Sequence, residues 1–171
     1  ELSSINDFGN SGNTGNSGNM SIQCDLLGNI TNLTNLIQTQ GITNLINNAS
    51  NFYDETIETI TYESYKNSLI LHSVVPMILS QSIIKEVIKQ NTGQRSFIIN
   101  ILDENTITST HDNTNNRKRG SITKTTKYLG YNLGKQSLAD QGRVIRGEIK
   151  KLSLENQIIV NEVSPAFIDF N

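Results

Sequence analysis

Short apolar runs alternate with long helical stripes along this chain, and that alternation constrains the fold more than any other feature. Residues 21–24 read as a strand with Asp25 at its end. Residues 29–40 read as a helix with Leu33, Leu36 and Ile37 on one side and Gly41 as its terminating glycine. A short strand at 44–47 runs into Asn48-Ala49-Ser50. The next helix covers residues 62–89, where Val75, Ile78, Leu79, Ile83 and Val87 keep to one face. Pro76 lies inside it and removes a backbone donor, which predicts a kink or a break. After Asn91-Thr92-Gly93, the run 97–102 (FIINIL) predicts a strand buried on both faces. A second long helix at 128–152 carries Leu133, Leu138, Ile145, Ile149 and Leu152, and 158–163 (IIVNEV) is a last, largely buried strand. The order β-α-β-α-β-α-β is the signature of a parallel α/β sheet. Such sheets hold ligands outside the carboxyl ends of their strands. Polar residues follow each strand there: Asp25, Asn47 to Ser50, Asp103, and Ser164-Pro165.

The remaining segments are polar. Residues 1–8 place Leu2, Ile5 and Phe8 on one helical stripe, as the tail of a helix would. Residues 9–19 (GNSGNTGNSGN) contain no core-forming side chain and read as a flexible insert. Residues 103–127 form a polar loop, and its Arg117-Lys118-Arg119 reads as solvated. The 171 residues suffice for one domain with a core. Net charge is −2, so nothing favours nucleic acid or an acidic membrane as a partner. Cys24 is the single cysteine, and His72 and His111 are far apart in sequence, so no metal site is expected. No apolar run approaches the roughly 20 residues of a membrane span, and the N-terminus lacks the basic start of a signal peptide. A reducing, soluble compartment, the cytoplasm or an organelle matrix, is the expectation.

Chemistry concentrates at Tyr131-Asn132-Leu133-Gly134-Lys135. Residues four apart share a helical face, so a phenol stands beside an ammonium. A neighbouring cation favours phenolate and is expected to lower the tyrosine pKa, preparing it for proton transfer near neutral pH. Tyr-x-x-x-Lys alone is common on surface helices, and its meaning here comes from context.

In that context the chain resembles the short-chain dehydrogenase/reductase family. Ile46-Asn47-Asn48-Ala49 is similar to the Asn-Asn-Ala-Gly stretch after the family's fourth strand, and 97–101 to its fifth strand. Tyr131 to Lys135 is similar to the catalytic helix, and 159–165 (IVNEVSP) to the sixth strand and its turn. Pteridine reductases are the nearer likeness. Asn47-Asn48-Ala49-Ser50-Asn51-Phe52-Tyr53 resembles their Asn-Asn-Ala-Ser followed by Phe-Tyr. Asp103 stands where most of the family has Ser, and Tyr128 precedes Tyr131 by three residues.

The resemblance implies a Rossmann-type doubly wound parallel sheet and an NADPH- or NADH-dependent reductase of a pterin or dihydrofolate. Lys135 would bind the nicotinamide ribose and tune Tyr131. Tyr131 would relay a proton that Asp103 orients or supplies. Asp25 would contact the adenine, and Asn48 and Ala49 would line the adenosine ribose. Ser164, Pro165 and Ala166 would border the nicotinamide. Ser50, Phe52, Tyr53 and Tyr128 would lie at the substrate mouth. The two long helices resemble the family's tetramer interface, which implies a homotetramer.

The chain departs from the family in several places. The helix asparagine four residues before the proline is His72, and the residue after Pro165 is Ala166 rather than Gly. The family's glycine-rich turn has no counterpart, since the glycines at 9–18 lack the flanking strand and helix of a dinucleotide fingerprint. By resemblance these are strands three to six of the family order 3-2-1-4-5-6. The 21–24 strand would then be separated from the 44–47 strand by two strands supplied upstream or by another polypeptide. Two other functions compete with the reductase: a non-catalytic subunit that kept the fold, and a short-chain reductase of a different carbonyl. Asp103 in place of Ser weighs against the last.

Overall fold

The structure, a computed structural model, describes residues 22–103 and 127–165. The expectations for 1–8, 9–19, most of the 103–127 loop including His111, and Ala166 lie outside the described residues. The elements are α1 (Thr31–Gln40), β1 (Leu45–Asn47), α2 (Tyr62–Leu69), a π-helical turn (Ile70–Val74), α3 (Val75–Gln90), β2 (Ser96–Ile101), α4 (Leu129–Lys151) and β3 (Ile158–Val163).

Local chemistry sets most of the boundaries. Asn29 Oδ1 accepts from the Thr31 N–H at the start of α1, and Gly41 ends it at φ 63°, a left-handed conformation suited to glycine. Thr61 and Ser64 form a reciprocal capping box at α2. Asn91, also left-handed, ends α3. Pro76, expected to kink or break the long helix, distorts it without ending it. Its ring would crowd the His72 carbonyl one turn earlier. The helix absorbs this by widening: the Val75 N–H reaches back five residues to the Ile70 carbonyl. Gln141 of α4 then ties down the widened turn by donating to the Ser73 carbonyl at 3.0 Å.

β1, β2 and β3 form a parallel sheet in that order. Leu45, Ile98 and Val160 lie side by side in register, as do Asn47, Asn100 and Glu162. Ile98, Ile158 and Val160 meet Val75, Leu79, Ile83 and Val87 of α3, Ile145 and Ile149 of α4, and Ile37 of α1 in one core. The described helices thus cover one face. Alternate residues on the other face stay open, Ile46 at 63% and Phe97 at 40% exposure. The expectation of two-sided burial for 97–102 is therefore corrected: among the described residues β2 alternates between covered and uncovered positions.

Two further expectations change. Residues 22–25 are not a strand, because Ile22 makes only a single bridge. Asp25 turns the chain instead, with its Oδ1 accepting the Leu27 N–H and its carbonyl accepting the Gly28 N–H. The helical stretch Tyr62–Gln90, 29 residues with a mean hydropathy of 1.4, is also long and apolar enough to cross a membrane. Its apolar stripe packs on the sheet, which accounts for that composition.

Candidate active site

The site forms where β2 and the N-terminal turns of α4 converge. The residue after β2 but one is Asp103, and its Oδ2 accepts the Tyr131 hydroxyl at 3.0 Å. One helical turn further along α4, the Lys135 ammonium donates to the Ile101 carbonyl at 2.7 Å. It stands 5.8 Å from the centre of the Tyr131 ring. The phenol, the ammonium and the carboxylate, separated by up to 32 residues in sequence, thus meet in one place.

The electrostatics differ from the sequence expectation. Lys135 was expected to lower the Tyr131 pKa, but burial, reinforced by the hydrogen bond and charge of Asp103, pushes it well above its ordinary 10.0. The ammonium spends its contact on a backbone carbonyl rather than on the phenol oxygen. Burial also lowers the Lys135 pKa, and the Asp103 charge partly offsets this. At neutral pH the phenol is protonated and donates to Asp103 Oδ2.

Aromatic rings close the site. Phe52 packs on Tyr128 at 3.9 Å and edge-on against Tyr131 at 4.8 Å between ring centres. Tyr128 is held at the start of α4 by a backbone bridge to Glu55, whose carbonyl accepts the Leu129 N–H. Tyr53, next to Phe52, is exposed. Beneath Tyr131 lies His72, with the two rings perpendicular and 5.4 Å apart. His72 is 1% exposed and bonds to the Ser68 carbonyl through Nδ1 and to Ser50 Oγ through Nε2. Burial, with the nearby Lys135 charge, lowers its pKa to about 4.

A cavity beside this cluster is lined by Leu26, Asn47, Asn48, Ala49, His72 and Pro76, among others. Asn48 and Ala49 are exposed on it, and Asp25 sits in the turn next to Leu26. Ser164 follows β3 with its Oγ buried and unpartnered, and Pro165 is exposed. The structure therefore gathers Asp103, Tyr131, Lys135, Phe52 and Tyr128, and links Ser50 to them through His72. Among the described residues no group of three or more His, Cys, Asp or Glu could hold a metal ion.

Sequence reasoning missed three residues of this arrangement. It named His72 only as a departure, although a histidine on the packed side of an apolar helix was a signal. Gly134 makes room for that imidazole: a Cβ there would lie 2.9 Å from His72 Nδ1. Asn100, polar in the middle of FIINIL, accepts the Asn47 amide at 2.8 Å and fixes the strand from which Asn48 to Ser50 depart.

No protein-family model matches the sequence, and no curated protein matches it. Solved structures do. The FolM alternative dihydrofolate reductase 1 from Brucella canis, complexed with NADP, is similar at a TM-score of 0.62 and 21% identity, over 84% of this chain and 49% of that one. A 4-hydroxyisoleucine dehydrogenase complexed with NADH and succinate gives 0.64 and 20%, over 84% and 54%. A short-chain dehydrogenase from Streptomyces avermitilis gives 0.63 and 16%, over 84% and 46%. The chain spans about half the length of these proteins. Its architecture is the α/β Rossmann-type fold of the short-chain dehydrogenases.

Proposed function

We propose that this protein is an NAD(P)H-dependent oxidoreductase of the short-chain dehydrogenase/reductase kind, acting on a pterin or dihydrofolate. The observation that carries this reading is the hydrogen bond from Tyr131 to Asp103 beside the buried Lys135. The FolM protein, whose fold is similar and which was crystallised with NADP, supports it.

The residues present fit such a cofactor. An ammonium has three donors, and the bond to the Ile101 carbonyl uses one, so Lys135 can hold ribose hydroxyls. Ser164, whose Oγ is buried and unpartnered, and the exposed Pro165 follow β3 and would border the nicotinamide, while Asn48, Ala49 and Asp25 would serve the adenosine. When bound, the nicotinamide supplies the hydride. Tyr131 holds a proton at its hydroxyl and releases it to the substrate nitrogen or oxygen as negative charge develops there. Asp103 orients that hydroxyl and draws the proton supply toward it. Lys135, 5.8 Å from the centre of the Tyr131 ring, places a positive charge beside the phenol as it gives up its proton. Phe52 and Tyr128 exclude water and stack against a flat ring, and Ser50 and Tyr53 lie at the mouth.

Strands supplied upstream or by another polypeptide would cover the edge of β1 that is open among the described residues, and a homotetramer through α2–α3 and α4 in a soluble reducing compartment belongs to the same reading. The test is NADPH or NADH oxidation with dihydrobiopterin and dihydrofolate. Tyr131→Phe is expected to lower kcat by about 100-fold or more without abolishing cofactor binding. Failure with both substrates, together with no cofactor binding, overturns the reading in favour of a non-catalytic subunit. The likeness to a 4-hydroxyisoleucine dehydrogenase keeps a second reading, a different carbonyl or alcohol substrate. Asp103→Ser separates the two, because a carbonyl reductase would tolerate it and a pterin reductase would lose turnover.

A further inference from the structure

His72 occupies an unusual position for an ionisable group. It is fully enclosed, yet both of its ring nitrogens are engaged, and its bonding partners fix how it is protonated. The Ser68 carbonyl at 3.0 Å can only accept, so Nδ1 carries the hydrogen. The imidazole is 1% exposed, and the Lys135 ammonium acts on it from α4. A second proton would have to enter an enclosed site near an existing positive charge, so the ring is neutral and Nε2 is a bare acceptor. Ser50 Oγ lies 2.9 Å from Nε2, and the only hydrogen that can fill that contact is the serine's own. The Ser50 hydroxyl proton is therefore committed inward. What the exposed Ser50 presents outward, next in the chain to the cavity-lining Asn48 and Ala49, is lone pairs alone.

The orientation is held from several sides. Gly134 leaves the space for the ring, and a Cβ there would lie 3.0 Å from His72 Cβ and 3.1 Å from the Ser68 carbonyl oxygen. The Tyr131 ring stands perpendicular above the imidazole, and Phe52, two residues after Ser50, packs on Tyr131. Ser50 is thus connected to the proposed proton donor through His72, and its polarity is set by a residue that is itself 1% exposed.

We propose that His72 is a specificity-determining positioning residue: through Nε2 it fixes Ser50 as an acceptor-only contact, so the ligand group that docks there is an N–H donor, such as an exocyclic amine or a ring lactam N–H. This rests on the reductase reading for the identity of the ligand and deepens it. A substrate that offers a carbonyl or ether oxygen at that point meets lone pair against lone pair. It can bind only if Ser50 gives up its bond to His72.

Two measurements test it. The first needs no activity: nitrogen-15 NMR of the histidine side chains in the full chain. Expected is the neutral tautomer with hydrogen on Nδ1 and a bare Nε2 for His72. A hydrogen on Nε2 overturns the proposal. The second compares binding of 2-aminopteridin-4-one with its isostere 2-methylpteridin-4-one, in the presence of NADP. The amine should be preferred about 3- to 10-fold, the range of one hydrogen bond. Ser50→Ala and His72→Asn should bring that ratio close to one, because asparagine reaches only the Nδ1 position. His72→Gln, whose amide oxygen reaches the Nε2 position, should restore the preference. A preference that survives His72→Asn, or one that His72→Gln fails to restore in a folded protein, overturns the proposal. If neither pteridine binds while the Nδ1–H tautomer is observed, the pterin reading and the N–H ligand assignment fall together. The internal Ser50–His72 bond then stands as structure without that role.

Discussion

A buried histidine with a depressed pKa is a pH-dependent weak point, and its sign can be worked out. His72 titrates near 6.5 when unfolded and about 4 when folded. Between those values the unfolded chain binds more protons than the folded one, so stability rises with pH across that window. The stability is fully present above about pH 6.5 and is lost as pH falls toward 4, with a size on the order of 3 kcal/mol. Urea unfolding midpoints measured between these pH values should therefore drop on acidification. His72→Gln should flatten the slope, whatever its effect at pH 7. Tyr131 behaves oppositely at the alkaline end. Its folded pKa lies above the unfolded 10.0, so the fold loses stability as pH rises past 10, and Tyr131→Phe should remove that loss. The same group explains why the helical spacing alone misled about acidity. Spacing placed Lys135 near Tyr131, but it carried no information on burial or on the carboxylate across the site.

At the scale of elements, the glycines of α4 separate packing from propensity. Replacing glycine by alanine inside a helix normally stabilises by about 0.5–1 kcal/mol. Gly147 has nothing within 4 Å of a built Cβ, so Gly147→Ala should show that gain as a raised thermal midpoint. Gly134 lies against the π-helical turn, with His72 and the Ser68 backbone oxygen inside normal contact distance. Gly134→Ala should therefore destabilise by about 1–3 kcal/mol, the cost of overpacking exceeding the helical gain. Equilibrium denaturation of the two variants side by side checks both signs, and equal effects would refute the close helix approach. Legibility in the sequence follows the same division. Helix periods, Gly41 and the 158–163 strand were readable because local patterns determine them. The 21–24 strand was misread because Asp25 was taken as a strand end, whereas it opens a turn to Gly28. The widened turn before Pro76 was readable only as a disturbance, since its form depends on α4 packing beside it. Gly134 and His72 are matched across two helices, and no single window contains that match.

For the whole molecule, a row of polar side chains runs across the carboxyl end of the sheet and ties its strands to the site. Asn47, Asn100 and Glu162 are neighbours in register on β1, β2 and β3. The Asn47 amide donates to Asn100 Oδ1, and Glu162 pairs with Arg146 on α4 above Gly142. β1 has only three residues, and Ile46 is largely exposed, so the buried Asn47–Asn100 bond supplements a short ladder. From β1 the chain passes directly into Asn48, Ala49 and Ser50. Removing the Asn100 amide leaves the Asn47 donor buried without a partner, which costs about 1–3 kcal/mol. Asn100→Ala should therefore lower global stability by that amount. Hydrogen exchange should quicken at residues 45–50 more than at 158–163, because β3 keeps a full ladder and the core contacts of Ile158 and Val160. On the proposed reductase reading, NAD(P)H affinity should fall as well, although Asn100 is 1% exposed. Uniform loss of protection across all three strands would mean instead that the asparagine pair only fills space. The position of the 48–50 segment would then have to come from its contact with His72.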